Sequence, residues 1–162
     1  MRPENFFPLN LLFLSHIIAD YVCQPKDFTR RKRKKKAYLF LHVAIVWAVG
    51  FLLLLPYWNG KTLLAVSILS ISHLIIDWNK IMLERKIKRI LKEKGLLKTV
   101  NVVDQGLHFL AIVCVWRVFL TGFPWPFGFL PSPVFLNLSA ILVIILITAR
   151  GGIGLLNPEE ED

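Results

Sequence analysis

Apolar residues collect in five runs along the chain, at residues 6–23, 38–56, 62–83, 100–121 and 134–149, separated by stretches of charge, proline or glycine. Crossing the hydrocarbon of a bilayer takes about 17–25 helical residues, so the first four runs are long enough and the fifth is the shortest. Pro8 lies in what would be the first turn of the first helix, where a missing N–H costs little, and Gln24-Pro25 closes that helix because the residue before proline leaves helical geometry. Pro56-Tyr57-Trp58-Asn59-Gly60 reads as a tight turn with interfacial aromatics. The third run continues into Glu84 to Lys94, rich in helix formers, and predicts a helical arm that ends at Gly95. An aromatic, proline-rich loop at 123–128 precedes the fifth run.

Polar residues inside the runs are few and patterned. Ser15-His16-Ile17-Ile18-Ala19-Asp20, Ser72-His73-Leu74-Ile75-Ile76-Asp77 and Asp104-Gln105-Gly106-Leu107-His108 each pair a histidine with an aspartate four residues away, which stacks the two on one helix face. With His42, these words contain all four histidines of the chain. Histidine precedes aspartate in the first and third runs and follows it in the fourth. Antiparallel threading converts that reversal into a common arrangement, with each aspartate one turn, about 6 Å, to the same side of its histidine. His42, near the start of the second run, falls in the same half. Ionisable residues within spans are costly and by default face a bundle interior. Four helices are therefore expected to bring these residues together. Local pairs acting as polar glue would not explain why every histidine shares the pattern.

The words also expose a duplication. Leu14 to Tyr21 aligns with Ile71 to Trp78, including the aromatic after the aspartate, and Leu41 to Val46 aligns with Leu107 to Ile112. The expected fold is all-α, a single transmembrane domain over 1–162. It has a four-helix core of two tandem hairpin repeats, with the fifth helix unpartnered. Parallel repeats of this kind place sites at the repeat interface.

Composition agrees with a membrane protein: 55% of the residues are hydrophobic and the mean hydropathy is +0.55, beyond what a soluble domain carries. The formal charge of +9 is concentrated in two connections, 25–37 and 84–99, of which the first holds the unbroken run Arg30-Arg31-Lys32-Arg33-Lys34-Lys35-Lys36. By the positive-inside rule both connections are cytoplasmic, the N-terminus lies outside and the C-terminus inside. The chain is expected to be multi-pass in the cytoplasmic (inner) membrane, with the first segment a retained helix rather than a cleaved signal. Wedged between spans, the basic run reads as a topology signal that touches anionic headgroups, not as a nucleic-acid patch. Cys23 and Cys114 are too few for a disulfide framework. Cys114 is expected to pack, and Cys23 is a minor candidate ligand.

Four imidazoles and three carboxylates form the ligand set of a metal centre. His16, Asp20, His42, His73, Asp77, Asp104 and His108 are the candidate ligands. Zinc is the first choice with iron or manganese as alternatives, and spacing does not separate one ion from two. Asp20, Asp77 and Asp104 are also the candidate catalytic carboxylates, any unligated one serving as general base. Lys80 is the fourth candidate catalytic residue: it follows Asp77 by three residues and could meet a phosphate, pair with an aspartate or snorkel to the interface. Gln24, Gln105 and Tyr38 are candidates for supporting hydrogen bonds, Tyr38 standing four residues before His42 as Asp104 stands before His108.

The words His16-xxx-Asp20-xxx-Gln24-Pro25, His73-xxx-Asp77-xx-Lys80 and Asp104-Gln105-xx-His108, with an isolated His42, resemble those of an uncharacterised family of small prokaryotic membrane proteins, a domain of unknown function. More distantly, the chain is similar to bacterial inner-membrane proteins described as metal-dependent hydrolases. The expected function is a membrane-embedded metal-dependent hydrolase whose His/Asp site lies in the cytoplasmic half and takes a phosphorylated, lipid-like substrate. A metal-ion or proton transporter using the same cluster is the alternative, disfavoured by the apolar outer halves of the second and fourth runs. A non-catalytic membrane partner is the third reading. Lipid headgroups are the expected contacts, and oligomeric state is left open.

Overall fold

The computed structural model describes residues 6–90 and 94–122. Five helices account for nearly all of them: α1 (Phe7–Ile17, continued by a π turn over Ile18–Val22), α2 (Lys26–Lys34), α3 (Lys36–Leu54), α4 (Gly60–Ile90) and α5 (Lys94–Val115, continued by a π turn over Trp116–Leu120). Three stretches are long and apolar enough to cross a membrane, Lys36–Tyr57, Gly60–Ile90 and Gly95–Leu120, and Phe7–Val22 is a shorter apolar helix. The expected fifth span lies outside the described residues.

Local chemistry explains the joints. Pro8 sits in the first turn of α1, and the chain leaves helical geometry at Pro25. A 3₁₀ turn over Leu55–Tyr57 ends α3. Asn59 then caps α4, its Oδ1 accepting from the backbone N–H groups of Lys61 at 2.8 Å and Thr62 at 3.0 Å. Two expectations need correction. The connection read as a basic loop contains the nine-residue helix α2, because its inward-facing residues have a bundle to pack on. Gly95 does not end the helical arm; it lies in the first turn of α5, where a glycine's flexibility is tolerated.

The four long helices pack as a ring in the order α1, α3, α4, α5, with α5 closing back on α1. Their apolar core, which includes Leu12, Leu54, Val66, Leu69, Ile112 and Leu120, fills the end away from the basic connections. The outer surface stays apolar: Leu41, Leu52, Ile71, Ile75, Phe109 and Leu110 are all about half exposed or more. A belt of that kind is consistent with a lipid surrounding. Cys114, expected to pack, is exposed.

Gly50 faces α4 and α1 at close range. A Cβ there would meet Val66 Cγ1 at 3.4 Å and Ser15 Oγ at 3.8 Å, so alanine fits and anything longer does not. Gly50→Leu is expected to cost about 1–3 kcal/mol through overpacking while Gly50→Ala costs little, as read by thermal unfolding in detergent.

Candidate metal centre

The two hairpins deliver their polar residues to one depth, at the end of the ring that carries the basic connections. Asp20 lies in the last turn of α1, His42 two turns into α3, His73 and Asp77 in the middle of α4, and Asp104 and His108 in α5. All except Asp20 are buried, with His42 having no exposed surface.

The closest approaches run between helices. His42 Nε2 lies 2.9 Å from His73 Nε2. Asp20 Oδ1 stands 3.2 Å from His42 Nε2 and 3.5 Å from His73 Nε2. Asp77 Oδ2 stands 3.5 Å from His42 Nε2 and 3.4 Å from His73 Nε2. Two carboxylate oxygens, from α1 and α4, thus flank the contact between a histidine of α3 and one of α4. The Cys23 N–H donates to the Ile18 carbonyl at 2.9 Å, five residues back, the mark of a wider turn, and Asp20 Oδ1 stands 3.9 Å from His16 Nδ1.

His16 and His108 complete the group on the other side. Their rings stack with centroids 4.8 Å apart, and the His73 ring lies 4.3 Å from that of His108. The repeat makes His42–His73 and His108–His16 equivalent pairs, and the first pair's centroids are 4.9 Å apart, nearly the same separation. His108 Nδ1 faces the Asp104 carbonyl at 2.9 Å. An N–H donated there fixes the tautomer and leaves Nε2 with its lone pair, the state a metal ligand needs. Among the described residues no hydrogen-bond partner reaches His108 Nε2, His42 Nδ1 or Asp104 Oδ1. Three overlapping sets therefore bring potential ligand atoms within 4.8 Å of one another: His16, Asp20 and His73; His42, His73 and Asp77; Asp77, Asp104 and His108.

The remaining candidates sort by contact. Lys80 Nζ donates to Asp104 Oδ2 at 2.8 Å, the pairing alternative among the three that spacing left open. Gln105 Nε2 donates to the same oxygen at 3.1 Å. Gln24 reaches the centre only through a lysine, its Oε1 accepting from Lys32 Nζ at 3.0 Å. Tyr38 does not join: its hydroxyl accepts from Arg31 at 2.9 Å, and Phe28 lies against both Tyr38 and His42. Ser15 and Ser72 bond back to the Leu12 and Ile68 carbonyls, and Cys23 belongs to none of the three sets among the described residues.

Lys32 is the residue that the sequence concealed. It sits in the basic run read as a solvated topology signal, yet it is buried with Nζ 2.9 Å from Asp77 Oδ2. Helix α2 turns Phe28, Thr29, Lys32 and Arg33 inward and leaves Arg30, Arg31 and Lys34 exposed. Arg33 pairs with Glu84 at 3.2 Å, and Arg85 donates to the Arg33 carbonyl. The available signal was Phe28, the one large apolar residue of that segment, four residues before Lys32 and so on its face.

No curated protein and no solved structure matches the chain. Residues 9–136, a stretch that contains the whole cluster together with Lys32 and Lys80, match the family described as "Protein of unknown function (DUF3307)", and the chain belongs to that family.

Proposed function

We propose that the protein is a membrane-embedded, metal-dependent hydrolase acting on an amphipathic ester in the leaflet at its basic end. One observation carries the reading. A tetrahedral ion with bonds of about 2.0–2.1 Å to nitrogen and oxygen holds its ligand atoms about 3.3–3.4 Å apart. Five of the six separations among His42 Nε2, His73 Nε2, Asp20 Oδ1 and Asp77 Oδ2 fall between 2.9 and 3.5 Å. Two histidines and two carboxylates suit zinc first and iron or manganese next. Asp104 and Lys80 lie behind Asp77 as outer support.

A catalytic ion keeps one position for water. His42, His73 and Asp77 have side-chain exposures of 0%, 2% and 5%, against 14% for Asp20, so Asp20 is the corner that yields. When bound, the ion supplies Lewis acidity and an acidified water. Asp20, once displaced, would be the carboxylate beside that water able to accept its proton, its Oδ1 having no hydrogen-bond partner among the described residues. The positive-inside rule supports a cytoplasmic placement of both basic connections and of the site, in an inner membrane.

The test is chelation and reloading in nanodiscs, with a fluorogenic phosphomonoester, a phosphodiester and phosphatidic acid as substrates. Freshly purified protein is expected to carry stoichiometric metal by elemental analysis, and turnover is expected to disappear with chelator and return with zinc, manganese or iron. Protein purified without metal would sink the reading. So would stoichiometric metal without turnover of any ester, which would make the ion a structural one.

A further inference from the structure

Two lysines are set against the centre rather than the membrane boundary. Lys32, with 8% of its side chain exposed, places Nζ 2.9 Å from Asp77 Oδ2 and 3.0 Å from Gln24 Oε1. Lys80, 21% exposed, places Nζ 2.8 Å from Asp104 Oδ2. Asp77 and Asp104 offer carboxylate oxygens within 4.8 Å of one another. The ammonium groups, one from α2 and one from α4, therefore flank the same pair of carboxylates.

Charge decides what this arrangement wants. With neutral histidines, three carboxylates and two ammonium groups leave the buried cluster one negative charge. A divalent ion, assumed from the function proposed above, turns that into one positive charge, and a second ion makes it three. An uncompensated excess of either sign is expensive in so dry a place. The loaded cluster therefore takes an anion, and the answer is the same for one ion or two. An ammonium has three donors; the bonds given above use two on Lys32 and one on Lys80, so both have donors to spend on a ligand. A tetrahedral oxyanion with several acceptors suits two point-charge donors and a metal approaching from different directions. The outward face of α2, with Arg30, Arg31 and Lys34 exposed, gathers anionic headgroups at the same end.

We propose that Lys32 and Lys80, with the metal-loaded cluster, bind a phosphate group, supplied as free phosphate or as a lipid phosphomonoester. The experiment is equilibrium dialysis of radiolabelled inorganic phosphate against detergent-purified protein, with metal content measured on the same samples. Loaded protein is expected to bind phosphate saturably, and the chelated protein is expected not to. Lys32→Gln and Lys80→Gln are each expected to weaken binding about tenfold or more, as loss of a charged hydrogen bond does, with metal retained. Lys32→Arg should keep it. Full metal without phosphate binding, or glutamine variants that bind as the parent does, overturns this inference and leaves the metal site standing. A chain that takes up no metal overturns both. Nanodiscs then separate the sources: displacement of the label by phosphatidic acid but not phosphatidylcholine identifies a lipid headgroup, and retention of the label identifies free phosphate.

Discussion

Purified His73→Ala is expected to carry only background metal, while His16→Ala still binds the ion with an affinity lowered by about 10–100-fold, the usual cost of losing an outer partner. His73 is the hub of the cluster. Its Nε2 lies within 3.5 Å of His42, Asp20 and Asp77, and its ring centroid lies 5.4 Å from that of His16 and 4.3 Å from that of His108. Removing it would delete one ligand of the proposed site and widen the space between the other three. His16 Nδ1, by contrast, comes no nearer than 3.9 Å to Asp20 Oδ1 and takes no corner. Elemental analysis of desalted protein, with size-exclusion elution to show that each variant stays folded, reads the difference. Equal loss from both variants would move the ion toward the His16–His108 side. Equal retention would mean that the histidines hold no metal.

The meeting of the helices was legible because hydrocarbon makes polar residues conspicuous. In an apolar run every histidine and aspartate stands out, and the reversal of the third word predicted a common depth without any knowledge of packing. His42 entered through the repeat, and its contact with His73 is the shortest in the group. Lys32 was illegible for the opposite reason. In seven consecutive basic residues nothing marks one as turned inward, and only the packing of α2 on α3, which lets Lys32 reach Asp77 of α4, selects it. The π turn at Ile18–Val22 was equally hidden, since no residue there demands it; it is visible only as a backbone hydrogen bond that reaches five residues back. Asp20 stands nearer His42 and His73 than its own helix's His16, whereas Asp77 is as near its own His73 as it is to His42. Gly95 shows that a glycine between two helix-forming stretches does not say which of them it belongs to.

Lys32 and Asp77 should show strong, metal-dependent coupling. In chelated protein, Lys32→Met and Asp77→Asn are each expected to cost about 3–5 kcal/mol, because each leaves its partner's charge buried and unmatched. Lys32 and Asp77 expose only 8% and 5% of their side chains, so solvent offers neither much relief. The double variant removes both charges and should cost far less than the sum. Zinc separates the singles. In Lys32→Met the ion replaces the missing positive charge at Asp77 and stability returns. In Asp77→Asn one corner of the site is gone, so zinc binds poorly and Lys32 remains stranded. Denaturant unfolding in detergent, with chelator and with zinc, measures all four proteins. Additive costs would mean that the 2.9 Å contact carries no energy of its own. Equal zinc rescue of both singles would show that Asp77 is not a ligand, and the carboxylate would then serve only to hold α2 across the end of the bundle.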